Sequence, residues 1–308
     1  MAPLTGILVV DLTRYLPGSF ASRELLRLGA RVVRLESPDG DPLRATAPAW
    51  DAALNAGKES VVCDMKADPA FGHALCSRAD VVVEGFRPGV ADRLGIGASA
   101  LPERLVYCSL TGFGAEGPHA ARAGHDLNYL GYAGVLADTA PALPPVQIAD
   151  LGAGALAAVA EILAALLERE RTGRGRHLVI SMTHGAHRFA AHRLAGEPAP
   201  KLLTGGLARY RIYATADGRY LTVAALEPKF ARRLAELLDL PGVDDAEKLA
   251  ERIKSKTLAE WLDLFEDEDV AAGPVWTLEE AARDFGSEPS AGRAPALGEH
   301  TETWRAEL

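Results

Sequence analysis

"GILVVDLTRYLPGSFASRELLRLGARVVRLE", residues 6–36, decides the fold. Its first eight residues are an apolar run of strand length, and "RVVRLE" (31–36) is a second. Between them "PGSFASRELLRLGA" has helical spacing, with Pro17 ahead of it and Gly29 near its end. A strand, a helix and a strand in that order make a parallel pair with a right-handed crossover. The alternation then repeats. "ADVVVEGF" (79–86) follows a helical segment at about 68–78, "RLVYCSLTGFG" (104–114) follows another, and a long helix after residue 153 leads to "HLVISM" (177–182). This predicts an α/β chain with a doubly wound, Rossmann-like parallel sheet. The first helix opens with "TRYLPGSFAS" and no GxGxxG, so the dinucleotide fingerprint is absent, as are a Walker loop and GxSxG.

Past this region "AGEPAPKLLTGG" (195–206) reads as a connection. "RYRIYATADGRYLTVAAL" (209–226) then reads as two strands around Asp217-Gly218, followed by helical segments near 228–239 and 245–266. A smaller α+β domain over 200–275 is the expectation, behind a large domain over 1–190. The 308 residues, 48% of them hydrophobic, suffice for two cores. A net charge of −9 argues against a nucleic-acid partner. Cys63, Cys76 and Cys108 form no CxxC and no even set, which predicts reduced thiols and a cytoplasmic location. "MAPLTGILVVDLT" has no basic n-region, and no stretch of the sequence reads as the roughly 18–20 apolar residues of a membrane helix.

Five groups of ionisable residues need a reading. His184, His187 and His192 in "HGAHRFAAH" lack a nearby carboxylate and HExxH, so no metal is expected. His73, His119 and His177 are isolated. His125 and Asp126, in "ARAGHDLNYL", follow a loop that leaves the C-terminal end of a strand, where open α/β sheets bind ligands. Asp150, in "PPVQIADLGAGALAA", stands at the start of a helix and could simply cap it. Glu227, in "TVAALEPKF", ends a strand ahead of a helix started by proline.

The chain resembles the class III CoA-transferase (CaiB/BaiF-type) family, in its α-methylacyl-CoA racemase branch. The resemblance runs over nearly the whole length and rests on "LPGSFASRELLRLGARVVRLESPDGDPLR", "LNAGKESVVCDMK", "ADVVVEGFRPGVADRLGIG", "YCSLTGFGAEGPHAARAGHDLNYL", "IADLGAGALAAVAEILAALLERERTGRGR" and "GGLARYRIYATADGRYLTVAALEPKF". In that branch a His precedes the motif Asp, as His125 does here, where transferases usually carry an aromatic residue. The branch's "GDFGGG"-like turn is matched by Asp150 in "ADLGAG", and its "AIEPQF" by Glu227 in "ALEPKF".

The resemblance implies an acyl-CoA racemase or epimerase acting at the α-carbon of a 2-methylacyl-CoA-like thioester. His125 and Asp150 would be the acid and base on opposite faces of that carbon, Glu227 would orient the His125 ring, and the backbone N–H of Asp126 would face the enolate oxygen. A transferase would instead use Asp150 as nucleophile, through an aspartyl anhydride and thioester; a CoA-binding protein without catalysis would need none of the three groups. Coenzyme A would be part of the substrate, no other cofactor being implied. Its contacts by resemblance are Arg93 in "ADRLGIG", with Lys66 and Arg44 as further candidates. Two departures stand out: Ser37 follows "VVRLE" where some racemases carry Arg, and the segments after "ISM" and "EPKF" are short. The family's architecture implies an interlocked homodimer, with segment 276–308 completing the large domain and the active site shared between one chain's large domain and the other's small one.

Overall fold

The computed structural model describes residues 1–196, 201–286 and 292–308. The chain divides into two compact units, Met1–Ala191 with Pro289–Leu308, and His192–Glu288. In the first unit six parallel strands form one sheet: β1 (Leu8–Asp11), β2 (Arg31–Glu36), β3 (Glu59–Val62), β4 (Val81–Glu84), β5 (Val106–Thr111) and β6 (His177–Ser181), in the spatial order β3-β2-β1-β4-β5-β6. Val9 pairs with Val32 on one side and Val81 on the other, so β1 lies in the middle.

Helices cover both faces, which is why the strands are apolar at consecutive positions. Val9, Val32 and Val81 point into one core with Leu25 and Ile162. Val10, Val33 and Val82 point into the other with Leu75 and Trp304. Strand β3, "ESVV", lay outside the strands read from the sequence, being only four residues between polar neighbours. It is the sheet's edge, and the segment around Thr301–Glu307 covers it. Val62 N–H donates to Thr301 Oγ1 (2.9 Å), His300 N–H to the Ser60 carbonyl (2.9 Å), and the Trp304 indole, fully buried, to Glu59 Oε2 (2.6 Å).

The long helix begins five residues earlier than the sequence suggests. Ile148–Leu156 winds as a π-helix and continues into the α-helix Ala157–Thr172. Together they form a 25-residue helix long and apolar enough to cross a membrane, contrary to the expectation that no such segment exists. Here Ala149, Ala153, Ala158, Ile162 and Ala165 pack it into the first core, and Asp150 and Glu161 lie within it.

The second unit has a three-stranded antiparallel sheet, β7 (Tyr210–Ala214), β8 (Tyr220–Ala224) and β9 (Ala272–Pro274), in the order β7-β8-β9. Strand β9, "AGP", is absent from the sequence reading because Gly and Pro argue against a strand; it pairs only with β8, at an edge where proline is tolerated. The helical segment expected at 245–266 splits into Ala246–Ile253 and Leu258–Phe265. Thr257 restarts the helix with a capping box, its hydroxyl accepting from Glu260 N–H and Glu260 accepting from Thr257 N–H. The helix Leu278–Asp284 clusters with this unit, whereas the sequence reading had placed the segment from 276 onward with the large domain. Arg219, on the β7–β8 turn, ties it there with a two-pronged ion pair to Glu280 (2.8 and 2.6 Å). Parts of the Pro/Gly-rich connections at 195–206 and 285–295 lie outside the described residues.

Candidate active site

The strand order reverses between β1 and β4, and in sheets of this topology the crevice beyond the strand C-termini at that reversal is where ligands sit. A cavity of about 650 Å³ opens there. Residues Thr13–Gly18, after β1, and Gly85–Pro88, after β4, form its floor, and Leu110–Gly112, at the end of β5, extend it. Both His125 and Asp150 line it. A second cavity of about 530 Å³ adjoins it, sharing Thr13, Arg14 and Phe86 and reaching Glu36–Asp41 after β2 and Cys63–Lys66 after β3.

His125 is the N-cap of the short helix Asp126–Tyr132, with extended backbone (φ −129°, ψ 178°) and its N–H donating to Asn128 Oδ1 (3.1 Å). The helix is seated by Tyr129, whose hydroxyl donates to the Gly124 carbonyl (2.5 Å). Gly124 and Gly112 leave the space the Tyr129 ring fills: a Cβ on either would come within 3 Å of it. As the first helical residue, Asp126 has an N–H without an intrahelical partner. Its carboxylate is directed elsewhere, accepting the Asp150 N–H (2.9 Å) and so tying the two helix starts together.

Asp150 is not the N-cap that the plain reading of its position allowed. It sits in the first turn of the π-helix and is 8% exposed. Burial, reinforced by the negative charge of Asp126, pushes its carboxyl up to about 7. A π-wound turn is a common way to redirect a functional side chain. Gly154 lets the turn pack against Met182, from which a Cβ would lie 2.8 Å.

The cations sort differently from the sequence reading. Arg44 lines neither cavity. It makes a two-pronged pair with Glu36 (2.9 and 2.7 Å) and donates to the Pro295 carbonyl (2.8 Å), in a cluster that holds the buried Arg34, Asp41 and Asp51. Its guanidinium is committed to the fold. Lys66 is exposed on the wall of the smaller cavity. Arg93, also exposed, ends the short helix Val90–Arg93 and is absent from both cavity linings. Arg14 lines both cavities and was not singled out from the sequence. It donates to Ser37 Oγ (2.8 Å), so a guanidinium stands beside Ser37. Its signal was available: a lone Arg just past the C-terminal end of β1. Arg87 and Arg122 add two more guanidinium groups around the larger cavity, where, among the described residues, Asp150 is the one lining carboxyl group.

The family model of CoA-transferase family III matches residues 4–292. The chain belongs to this family. It is similar to the α-methylacyl-CoA racemase of Homo sapiens, 34% identical over 97% of this chain and 91% of the relative. It is similar as well to the human succinyl-CoA:glutarate CoA-transferase, 31% identical over 89% and 72%. Among solved structures, a CAIB/BAIF family protein from Brucella suis superposes with a TM-score of 0.84 at 28% identity, covering 99% of both chains. The doubly wound sheet with a separate small antiparallel sheet is thus the architecture of a CoA-transferase family III protein.

Within this family III chain, Glu227 stands on the second unit as the N-cap of the helix Pro228–Leu237. Its carboxylate is exposed and makes no cap hydrogen bond, so the capping role that would explain it away is not filled by its side chain. Three of the other histidines have local hydrogen-bond partners. His184 Nδ1 pairs with Ser181 Oγ (2.8 Å), His187 Nδ1 with the Ala133 carbonyl (3.0 Å) and His177 Nε2 with Ser109 Oγ (3.0 Å). Among the described residues no group of three His, Cys, Asp or Glu could hold a metal ion. Cys63, Cys76 and Cys108 are free and buried.

Proposed function

We propose that the chain interconverts the epimers of a 2-methylacyl-CoA-like thioester by 1,1-proton transfer through an enolate. The observation that carries this reading is that His125 and Asp150 line one cavity at the topological switch point while the Asp150 carboxyl is held near 7. A group that must give and take a proton at neutral pH works best with a pKa there. One of the pair removes the α-proton, leaving its electron pair on the enolate; the other delivers a proton to the opposite face. The enolate oxygen meets the Asp126 N–H, and one such donor is worth roughly 3 kcal/mol. Acyl-CoA is the substrate, with its adenosine phosphates toward the smaller cavity, where Arg14 and Lys66 supply cations, and with Arg93 as an outer contact.

The working form in this proposal is an interlocked homodimer in the cytoplasm, in which Glu227 of a second copy orients His125. Exposed apolar side chains on the first unit, Leu127, Leu167 and Phe189, are suited to burial against another copy. CoA transfer through Asp150 is the second reading, favoured by the likeness to succinyl-CoA:glutarate CoA-transferase. It requires an ionised carboxylate, which a carboxyl near 7 supplies only in part at neutral pH.

Incubation with a 2-methylacyl-CoA in deuterated water, with and without an acceptor acid, tests the choice. Deuterium at the α-carbon and loss of stereochemistry without CoA transfer are expected. His125→Ala should lower turnover by about 10² to 10⁴. A folded His125→Ala protein with normal turnover, or CoA transfer without α-exchange, would give the assignment to the transferase.

A further inference from the structure

We propose that Tyr15 is a positioning residue for His125, held against it by a strained backbone. This rests on the reading of His125 as a proton-transfer group. Tyr15 has φ +65°, one of three non-glycine residues with positive φ among the described residues. For a bulky side chain that conformation is an outlier. Such strain persists only where surrounding groups fix it, and it concentrates at functional sites.

Here the fixing groups are identifiable. The Tyr15 N–H donates to Asp41 Oδ2 (3.0 Å). Asp41 is itself immobile: it is 3% exposed, its other oxygen accepts from Leu43 N–H (2.9 Å), and Arg34, fully buried, pairs with it at 3.4 Å. The buried Arg34–Asp41 pair therefore clamps the backbone at the start of the first helix. The clamp leaves Tyr15 44% exposed, lining the cavity that His125 also lines. The ring meets the imidazole edge-to-face, with centroids 6.1 Å apart and planes at 88°. Among the described residues it is the one aromatic ring paired with His125.

The arrangement has a mechanistic use. An imidazole at a helix N-cap can swing about its own side-chain torsions, and a displacement of about 1 Å from the α-carbon can cost 10²-fold in rate. A ring fixed from the neighbouring strand end stops that swing on one side. The contact is made by the ring and not by the hydroxyl, so phenylalanine should serve. Glycine would relieve the strain and delete the ring together.

The test compares Tyr15→Phe, Tyr15→Gly and His125→Ala in α-proton exchange of a 2-methylacyl-CoA. Tyr15→Asn is a second ring deletion that also tolerates positive φ. The expected result is a kcat lowered at least tenfold in Tyr15→Gly and Tyr15→Asn, with KM within twofold of the parent, a thermal midpoint no lower than the parent's for Tyr15→Gly, and near-parent kcat in Tyr15→Phe. Four results overturn the proposal: kcat within twofold in the ring deletions, a rise in KM alone, a loss in Tyr15→Phe equal to that in Tyr15→Gly, or failure of Tyr15→Gly to fold. If His125→Ala is crippled while the ring deletions are not, only the role of Tyr15 falls. If His125→Ala retains turnover, the reading of the site falls with it.

Discussion

Asp150 shows how much a single side chain's surroundings decide. The sequence places it correctly at a helix start, between an apolar stretch and two glycines, but cannot show that the turn is π-wound or that Asp126 lies against it. Its burial, with the Asp126 charge beside it, sets its protonation. Because its folded pKa, about 7, lies above the value of 3.8 for the free side chain, the native state holds more protons than the unfolded chain between those pH values. Stability therefore falls as pH rises through that window, by on the order of 4 kcal/mol once both states are ionised. Asp150→Asn should stop proton transfer and raise the thermal midpoint at pH 8 while changing it little near pH 4; melting curves at the two pH values check this. Arg14 is the opposite case, legible as a residue type but not as a location. Arg14→Ala should weaken CoA binding by about 10- to 100-fold, the worth of a charged hydrogen bond, and flatten its salt dependence; calorimetric titration with CoA at two ionic strengths reads both.

Elements were legible where burial on both faces leaves long apolar runs, as in β1, β2, β4 and β5. They were illegible where pairing alone makes the strand. Strands β3 and β9 have four and three residues and exist because a neighbour offers an edge. The start of the first helix illustrates a constraint of the same kind. A Cβ on Gly18 would stand 2.0 Å from Thr13 Oγ1, and Thr13 cannot retreat because Asp11 Oδ1 accepts both its N–H (2.9 Å) and its hydroxyl (2.6 Å). Replacing a helical glycine with alanine ordinarily stabilises by up to about 1 kcal/mol. Gly18→Ala should instead cost about 1–3 kcal/mol through overpacking, seen as a lower urea midpoint. In the second unit, Thr257→Ala removes the capping box between the two split helices and should cost about 1 kcal/mol in the same measurement.

At the scale of the molecule, the sequence carries two sets of hydrophobic patterns, and two compact units result. The ownership of the segment 276–286 was not legible, since its ties to the second unit include an ion pair between Arg219 and Glu280, 61 residues apart. The interlocked dimer proposed above should resist dilution. Sedimentation at nanomolar concentration is expected to show one species of twice the chain mass, and a monomer there would remove the claim. The cover over β3 also sets a clock on biosynthesis. Val62 and the Thr301 side chain that closes over it are 239 residues apart. At roughly 5–20 residues per second, a ribosome takes about ten to fifty seconds to travel between them. Throughout that interval the nascent sheet has an open flank able to pair with any extended chain nearby, and the flank closes only when Trp304 emerges and docks.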